Sequence, residues 1–242
     1  MSLLTADILA RAARHEFLDV GDWLAAEPRE AVKGDAQGWT VLHHAAAAEA
    51  TGKDVEDTVR LLLDAGADPH QANAAGDTPF NIAAANSPVT GRLLTNHWLA
   101  LAMEGKGAKK LNDRSGSHGS TLAQYIAKWS NDDEIEDQLK RAVAADMKVD
   151  VLNASGWTPL SAAAAMGREK AVEAFLWHYA HPAVYARTTE AYTAIYAGHK
   201  VTYDAGITAP EIAFARLVQD KGANKNLRNS LAACIAVIVA RA

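Results

Sequence analysis

Residues 153–176 read NASGWTPLSAAAAMGREKAVEAFL, and this stretch constrains the fold more than any other. A polar residue, Asn153, stands three places before Gly156. Thr158 and Pro159 follow, then a run of alanines, then Gly167, then a second apolar segment that ends at Phe175 and Leu176. The threonine suits a helix N-cap, because its hydroxyl can accept from a free amide of the first turn. Proline suits the next position, where its missing N–H costs nothing. The stretch therefore predicts a turn followed by two short helices. Such a unit cannot bury its apolar side alone and needs stacked neighbours.

The pattern recurs. Asp35-Ala36-Gln37-Gly38-Trp39-Thr40-Val41-Leu42-His43 is one copy, and Asn73-Ala74-Ala75-Gly76-Asp77-Thr78-Pro79-Phe80 is another. A degenerate copy starts at Asp113, with Gly116 and Leu122 in register. Between copies lies a second-helix ending, Leu61-Leu62-Leu63-Asp64-Ala65-Gly66-Ala67-Asp68, where Gly66 suits a left-handed cap. Lys221-Gly222-Ala223-Asn224 repeats that ending, and Lys106-Gly107-Ala108 and Ala145-Asp146-Met147 are worn versions of it. These residues resemble the ankyrin repeat, whose signature is T-P-L-H-x-A in a unit of about 33 residues. The spacings are longer: 38 residues from Leu42 to Phe80, 42 from Phe80 to Leu122 and 38 from Leu122 to Leu160. Insertions fit near 50–57 and 117–119.

The resemblance implies an all-α ankyrin-repeat solenoid of about five to six helix-turn-helix units. Connections would be short and hairpin-like, the repeats irregular, and both ends closed by helical caps. Residues 1–34 would cap the N-terminus, with Ile8–Trp23 helical and Pro28 marking a break. Repeats would occupy 35–72, 73–112, 113–149, 150–187 and 188–223. In the last, Glu190–Ala197 is the expected first helix and Pro210–Asp220 the second. Residues 224–242 would form a C-terminal cap, with Asn229–Ala240 helical. Alanine runs at 45–48, 83–85 and 162–165 fall on the first helices. They suit close approach between neighbours, although alanine is also simply the best helix former.

Composition excludes several function classes. Net charge is −5, which disfavours non-specific binding to nucleic acid. The lone Cys234, in the apolar run Leu231–Val239, has no internal disulfide partner and reads as a small buried hydrophobe. That run is too short to cross a bilayer. The N-terminus lacks a basic region, so a cytoplasmic chain is expected as the sequence stands; a periplasmic or secreted one follows if a signal has been removed. No cofactor, metal or catalytic constellation is expected. His43 falls where the ankyrin signature has its own histidine, which supports the turn. His178 and His181 are only two potential ligands, short of the four of a structural zinc site. Asp132-Asp133-Glu134 with Glu136 and Asp137 reads as the acidic opening of a helix.

The family resemblance implies binding of another protein, through hairpin tips and the concave helix face, by a chain that is monomeric when free. The alternatives are an inhibitor or immunity-type self-protection protein that occludes a partner enzyme, a secreted effector, or an enzyme with a site in 179–242. Positions that packing leaves free in the ankyrin unit include Gln37, Trp39, Ala75, Asp77, Asn86, Ser155, Trp157 and Met166. Trp39 and Trp157 are expected either as exposed anchors, a role in which tryptophan is enriched, or as packing for the neighbouring hairpin. Residues 179–207 hold five of the six tyrosines. Tyr192 and Tyr196 are expected on one helix face, with Tyr185 and Tyr203 facing solvent as amphipathic contact sites.

Overall fold

The computed structural model describes residues 3–48, 52–106, 109–116, 118–178, 186–196 and 199–241. Twelve α-helices are described: α1 (Leu3–Ala13), α2 (Phe17–Ala26), α3 (Val41–Ala47), α4 (Lys53–Asp64), α5 (Pro79–Asn86), α6 (Pro88–Met103), α7 (Leu122–Trp129), α8 (Ile135–Ala144), α9 (Pro159–Met166), α10 (Glu169–His178), α11 (Ala209–Gln219) and α12 (Lys225–Arg241). Two two-stranded hairpins join them: β1 (Arg114–Ser115) with β2 (Ser120–Thr121), and β3 (Tyr192–Tyr196) with β4 (His199–Tyr203). The all-α ankyrin architecture expected from the sequence is the one observed, apart from these hairpins.

Each odd-numbered helix from α3 to α11 begins the same way. Thr40, Thr78, Thr121, Thr158 and Thr208 hold extended backbone at the N-cap. Thr158 Oγ1 accepts from the Ser161 amide at 3.0 Å, and Thr78 Oγ1 accepts from Asn81 at 3.3 Å. Helices α4, α6 and α8 end in left-handed turns. Gly66 has φ 88°, and Asp146 fills the same role at φ 70° without being glycine. In 104–106 the left-handed residue is Gly105, at φ 69°, rather than the expected Gly107, which lies outside the described residues.

The chain divides into two compact units. The first comprises Met1–His97 with Ser115–Ser117; the second comprises Trp98–Arg114 with His118–Ala242. In the first, α1 packs on α3 and α3 on α5, while α2 packs on α4. The N-terminal helix pair therefore stacks as a repeat does. Its core is formed by Ile8, Val20, Leu24, Leu42, Val59, Leu62 and Phe80. Ala45 and Ala46 are fully buried, which lets the helix backbones approach.

In the second unit α7 packs on α9 and α9 on α11, while α8 packs on α10 and α10 on α12. This corrects the reading of the last repeat. The segment Tyr192–Tyr196 is a strand, not the helix expected over Glu190–Ala197, so Tyr192 and Tyr196 are not on a helix face. Thr208 and Glu211 form a capping box that opens α11, which is thus a first helix rather than a second one. Helix α12 is its partner rather than a separate closing helix. Gly222 does not take a left-handed turn; a side chain there would run into the His199 ring. Leu122, Ile126, Leu139, Leu160, Phe175, Ile212, Leu231 and Cys234 fill this core.

Candidate functional site

The hairpin tips are built from a repeated side-chain device. Asp35 Oδ1 accepts from the amides of Gln37 and Trp39, both at 2.9 Å. Asn73 Oδ1 accepts from Ala75 and Asp77 at 2.9 and 3.0 Å. Asn153 Oδ1 accepts from Ser155 and Trp157 at 3.1 and 2.9 Å. The polar residue three places before each glycine thus replaces the backbone partners a turn lacks. Tips within a unit are then tied backbone to backbone. Ala74 donates to the Gln37 carbonyl at 2.8 Å in the first unit, and Thr189 to Ser155 at 3.1 Å in the second.

In the first unit the predicted positions come together on adjoining tips. Gln37 and Ala75 are exposed, and Trp39 and Asp77 are half-buried. The Trp39 indole lies against the His44 ring at 5.0 Å and the His43 ring at 5.8 Å, which holds it while leaving part of its surface in solvent. Asn86 is exposed at the end of α5, but its amide donates to the Ile82 carbonyl at 2.8 Å.

The second unit differs. Trp157 is 7% exposed, because Tyr192 and Tyr203 pack edge-on against its indole at 5.6 and 5.0 Å. Tyr203 is completely buried. Trp157 thus takes the packing alternative, whereas the burial of Tyr203 corrects its expected exposure; one cause serves both, since the β3–β4 hairpin folds over the tip that carries Trp157 and buries Tyr203 as it does so. Ser155 is half-buried, with its carbonyl committed to Thr189. Met166 is half-buried, with its sulfur 3.9 Å from Arg216 Nη1. Tyr185 lies outside the described residues, as do Tyr179, His181, Pro182 and Gly198.

Two surface features escaped the sequence reading. His44, half-buried, supports Trp39; its signal was only its place beside His43. Trp177 on α10 is 71% exposed, with the Arg241 guanidinium 4.3 Å from its ring centroid.

The ionisable groups serve structure. His43 Nδ1 accepts from the Thr40 amide at 3.2 Å, so the proton sits on Nε2, which donates to the Asp77 carbonyl at 3.3 Å. Burial pushes His43 below the ordinary histidine range. Burial does the same to His44 and His97. The Cys234 thiol is pushed up to about 12, mainly by burial, which makes it a poor nucleophile. The buried Arg216 guanidinium donates to the Ala165 carbonyl at the end of α9 and pairs with Asp220 at 3.4 Å. Among the described residues, no group of three or more His, Cys, Asp or Glu side chains could hold a metal ion, and no helix is long and apolar enough to cross a membrane.

Comparison with known proteins agrees with this geometry. No curated protein matches the sequence. The fold is similar to a chain in the complex of the predatory endopeptidase Bd0816 from Bdellovibrio bacteriovorus with the immunity protein Bd3460. That match has a TM-score of 0.51 at 18% identity and covers 93% of this chain and 96% of that one. It is also similar to EF0377, an ankyrin repeat protein, with a TM-score of 0.51 at 17% identity over 96% of both chains. The family profile described as Ankyrin repeat matches residues 37–74 and 155–188. The chain therefore carries an ankyrin-repeat match in each of its two compact units, and within each unit the neighbouring helix pairs stack on the matched one.

Proposed function

We propose that the chain is a non-catalytic protein-binding module whose principal contact surface is the pair of adjoining hairpin tips in the first unit. The observation that carries this reading is the placement of Gln37, Trp39, Ala75 and Asp77 on two tips locked together by the Ala74–Gln37 backbone bond. Their backbone amides are satisfied internally by Asp35 and Asn73, so their side chains are left to a partner. Trp39 is held by two imidazoles before binding, which lowers the ordering cost of an aromatic anchor. The ionisable groups described above are committed to caps, turns and core. They form no nucleophile, base and electrophile converging on one point.

Trp39→Ala and Gln37→Ala, made in the full chain, test this. Both variants keep the parent's melt, and Trp39→Ala weakens capture of the native partner by about 2 kcal/mol or more. Undiminished capture by the two variants together would remove the surface from consideration. A second reading, an inhibitor that occludes an enzyme, is favoured by the similarity to a chain of the endopeptidase–immunity protein complex. Its test is whether the captured partner is an enzyme that loses turnover on addition of the purified chain.

A further inference from the structure

The β3–β4 hairpin has one edge sealed by a side chain and one edge that no strand among the described residues pairs with. Strand register sets Thr193 opposite Thr202, with Tyr192 opposite Tyr203 and Ile195 opposite Lys200. The Gln219 side chain of α11 accepts from the Thr202 amide and donates to the Thr202 carbonyl, both at 2.9 Å. Thr202 therefore directs its backbone groups away from β3. In an antiparallel ladder, directly opposed residues alternate between exchanging both bonds and exchanging neither. Thr193 and Thr202 are a pair of the second kind, and their hydroxyls, 3.3 Å apart, meet as such close pairs do. It follows that Thr193, and Ile195 two places on, direct their own N–H and C=O groups outward along the far edge of β3. Among the described residues β3 pairs with β4 alone.

We infer that this edge is a docking site for an extended segment of a partner protein, added as a third strand. On β4 the same outward groups already bind an amide that imitates a strand, so the hairpin's geometry fits that pairing. Side chains select the segment. Ala194 and Val201 lie buried on one face beside Tyr192 and Trp157, whereas Thr193, Lys200 and Thr202 are exposed on the other. The incoming strand carries small apolar residues at alternate positions, where they extend the face of Ala194. The positions between carry aspartate or glutamate, opposite in charge to exposed Lys200. The inference rests on the protein-binding reading above but uses a different surface.

The probe is a phage-displayed library of random linear peptides panned on the full chain. Selected peptides alternate apolar and acidic residues and bind Thr193→Pro at least about tenfold more weakly, because proline removes the outward N–H. Lys200→Glu gives a similar loss. In synthetic copies, N-methylation weakens binding at every second residue only. The near-ultraviolet dichroism of the Trp157–Tyr203 cluster verifies that each variant keeps its hairpin. No selected peptide, equal binding to Thr193→Pro, or N-methyl effects without period two would overturn the proposal. A parent that sediments as a dimer and a Thr193→Pro variant that sediments as a monomer would also overturn it, assigning the edge to a second copy of the chain. Capture through Trp39 is measured separately, so failure here leaves the first-unit surface standing.

Discussion

His43 donates its Nε2 proton to the Asp77 carbonyl across 3.3 Å and 34 positions of sequence, while its Nδ1 accepts from the Thr40 amide. One side chain thus caps its own helix and tethers the next hairpin. Gln124 performs the same double task in the second unit. Its Oε1 accepts from the Thr121 amide at 2.6 Å and its Nε2 donates to the Trp157 carbonyl. The role needs an acceptor and a donor a few ångströms apart on one residue, and both side chains supply them.

That equivalence gives the first prediction. His43→Leu removes both bonds and leaves the buried Thr40 amide without its acceptor, while the Asp77 carbonyl keeps only its bond from the Asn73 amide, at a cost of about 1–3 kcal/mol. His43→Gln restores the chemistry of Gln124 and recovers most of the loss. Denaturant melts of the two variants check this. Equal losses for leucine and glutamine would mean that ring packing, not hydrogen bonding, makes the histidine useful.

The same residue makes the fold sensitive to acid. Burial lowers His43, His44 and His97 below the ordinary value. The unfolded chain takes up protons as pH falls through about 6.5, while these imidazoles stay neutral in the folded state. The unfolded state then binds more protons, so stability is full above that pH and declines as pH falls toward the lower folded values. Melts across this window should show a falling midpoint. His43→Gln should show a shallower fall, having one fewer group to titrate.

Glycines at two left-handed turns should respond differently to alanine. Gly66 has φ 88° with open space around it, so Gly66→Ala costs only the backbone term, about 1 kcal/mol. Gly156 has φ 75°, and a Cβ there would collide with the Thr189 amide and side chain. Gly156→Ala must also push the β3–β4 hairpin off its seat, and the expected cost rises to about 2–4 kcal/mol. Comparable melts for the two variants would count against the close approach of Thr189.

The difference between these two glycines marks how far the sequence was legible. Gly66, the threonine caps and the polar turn residues act within four positions of themselves, and their spacing alone revealed the helix pairs. The last repeat did not yield to that reasoning. Tyr192 and Tyr196 fit an i, i+4 helix face as well as alternate strand positions, and β-branched Thr193, Ile195, Val201 and Thr202 were the overlooked sign of a strand pair. Thr208 and Glu211 also carried a legible capping box, which reading Pro210–Asp220 as a second helix obscured. Exposure at the tips was harder still. Trp39 and Trp157 occupy the same place in their turns, and only the long-range return of the chain from Thr189 to Tyr203 decides which indole is covered.

Trp157 allows that covering to be measured. Its indole is 7% exposed between Tyr192 and Tyr203, and among the described residues its N–H has no hydrogen-bond partner. The aromatic area therefore stabilises the fold while the buried N–H opposes it. Trp157→Ala should leave a cavity beneath the hairpin and cost about 3–5 kcal/mol. Trp157→Phe keeps an aromatic ring and removes the unpaired donor, so its cost should be about 1 kcal/mol or less despite the smaller volume. Trp39→Ala, at the equivalent but half-exposed position, should change stability by less than Trp157→Ala while weakening partner capture. If Trp157→Phe proved as damaging as Trp157→Ala, the N–H would have to be satisfied in solution, and the tip would be wetter than its packing implies.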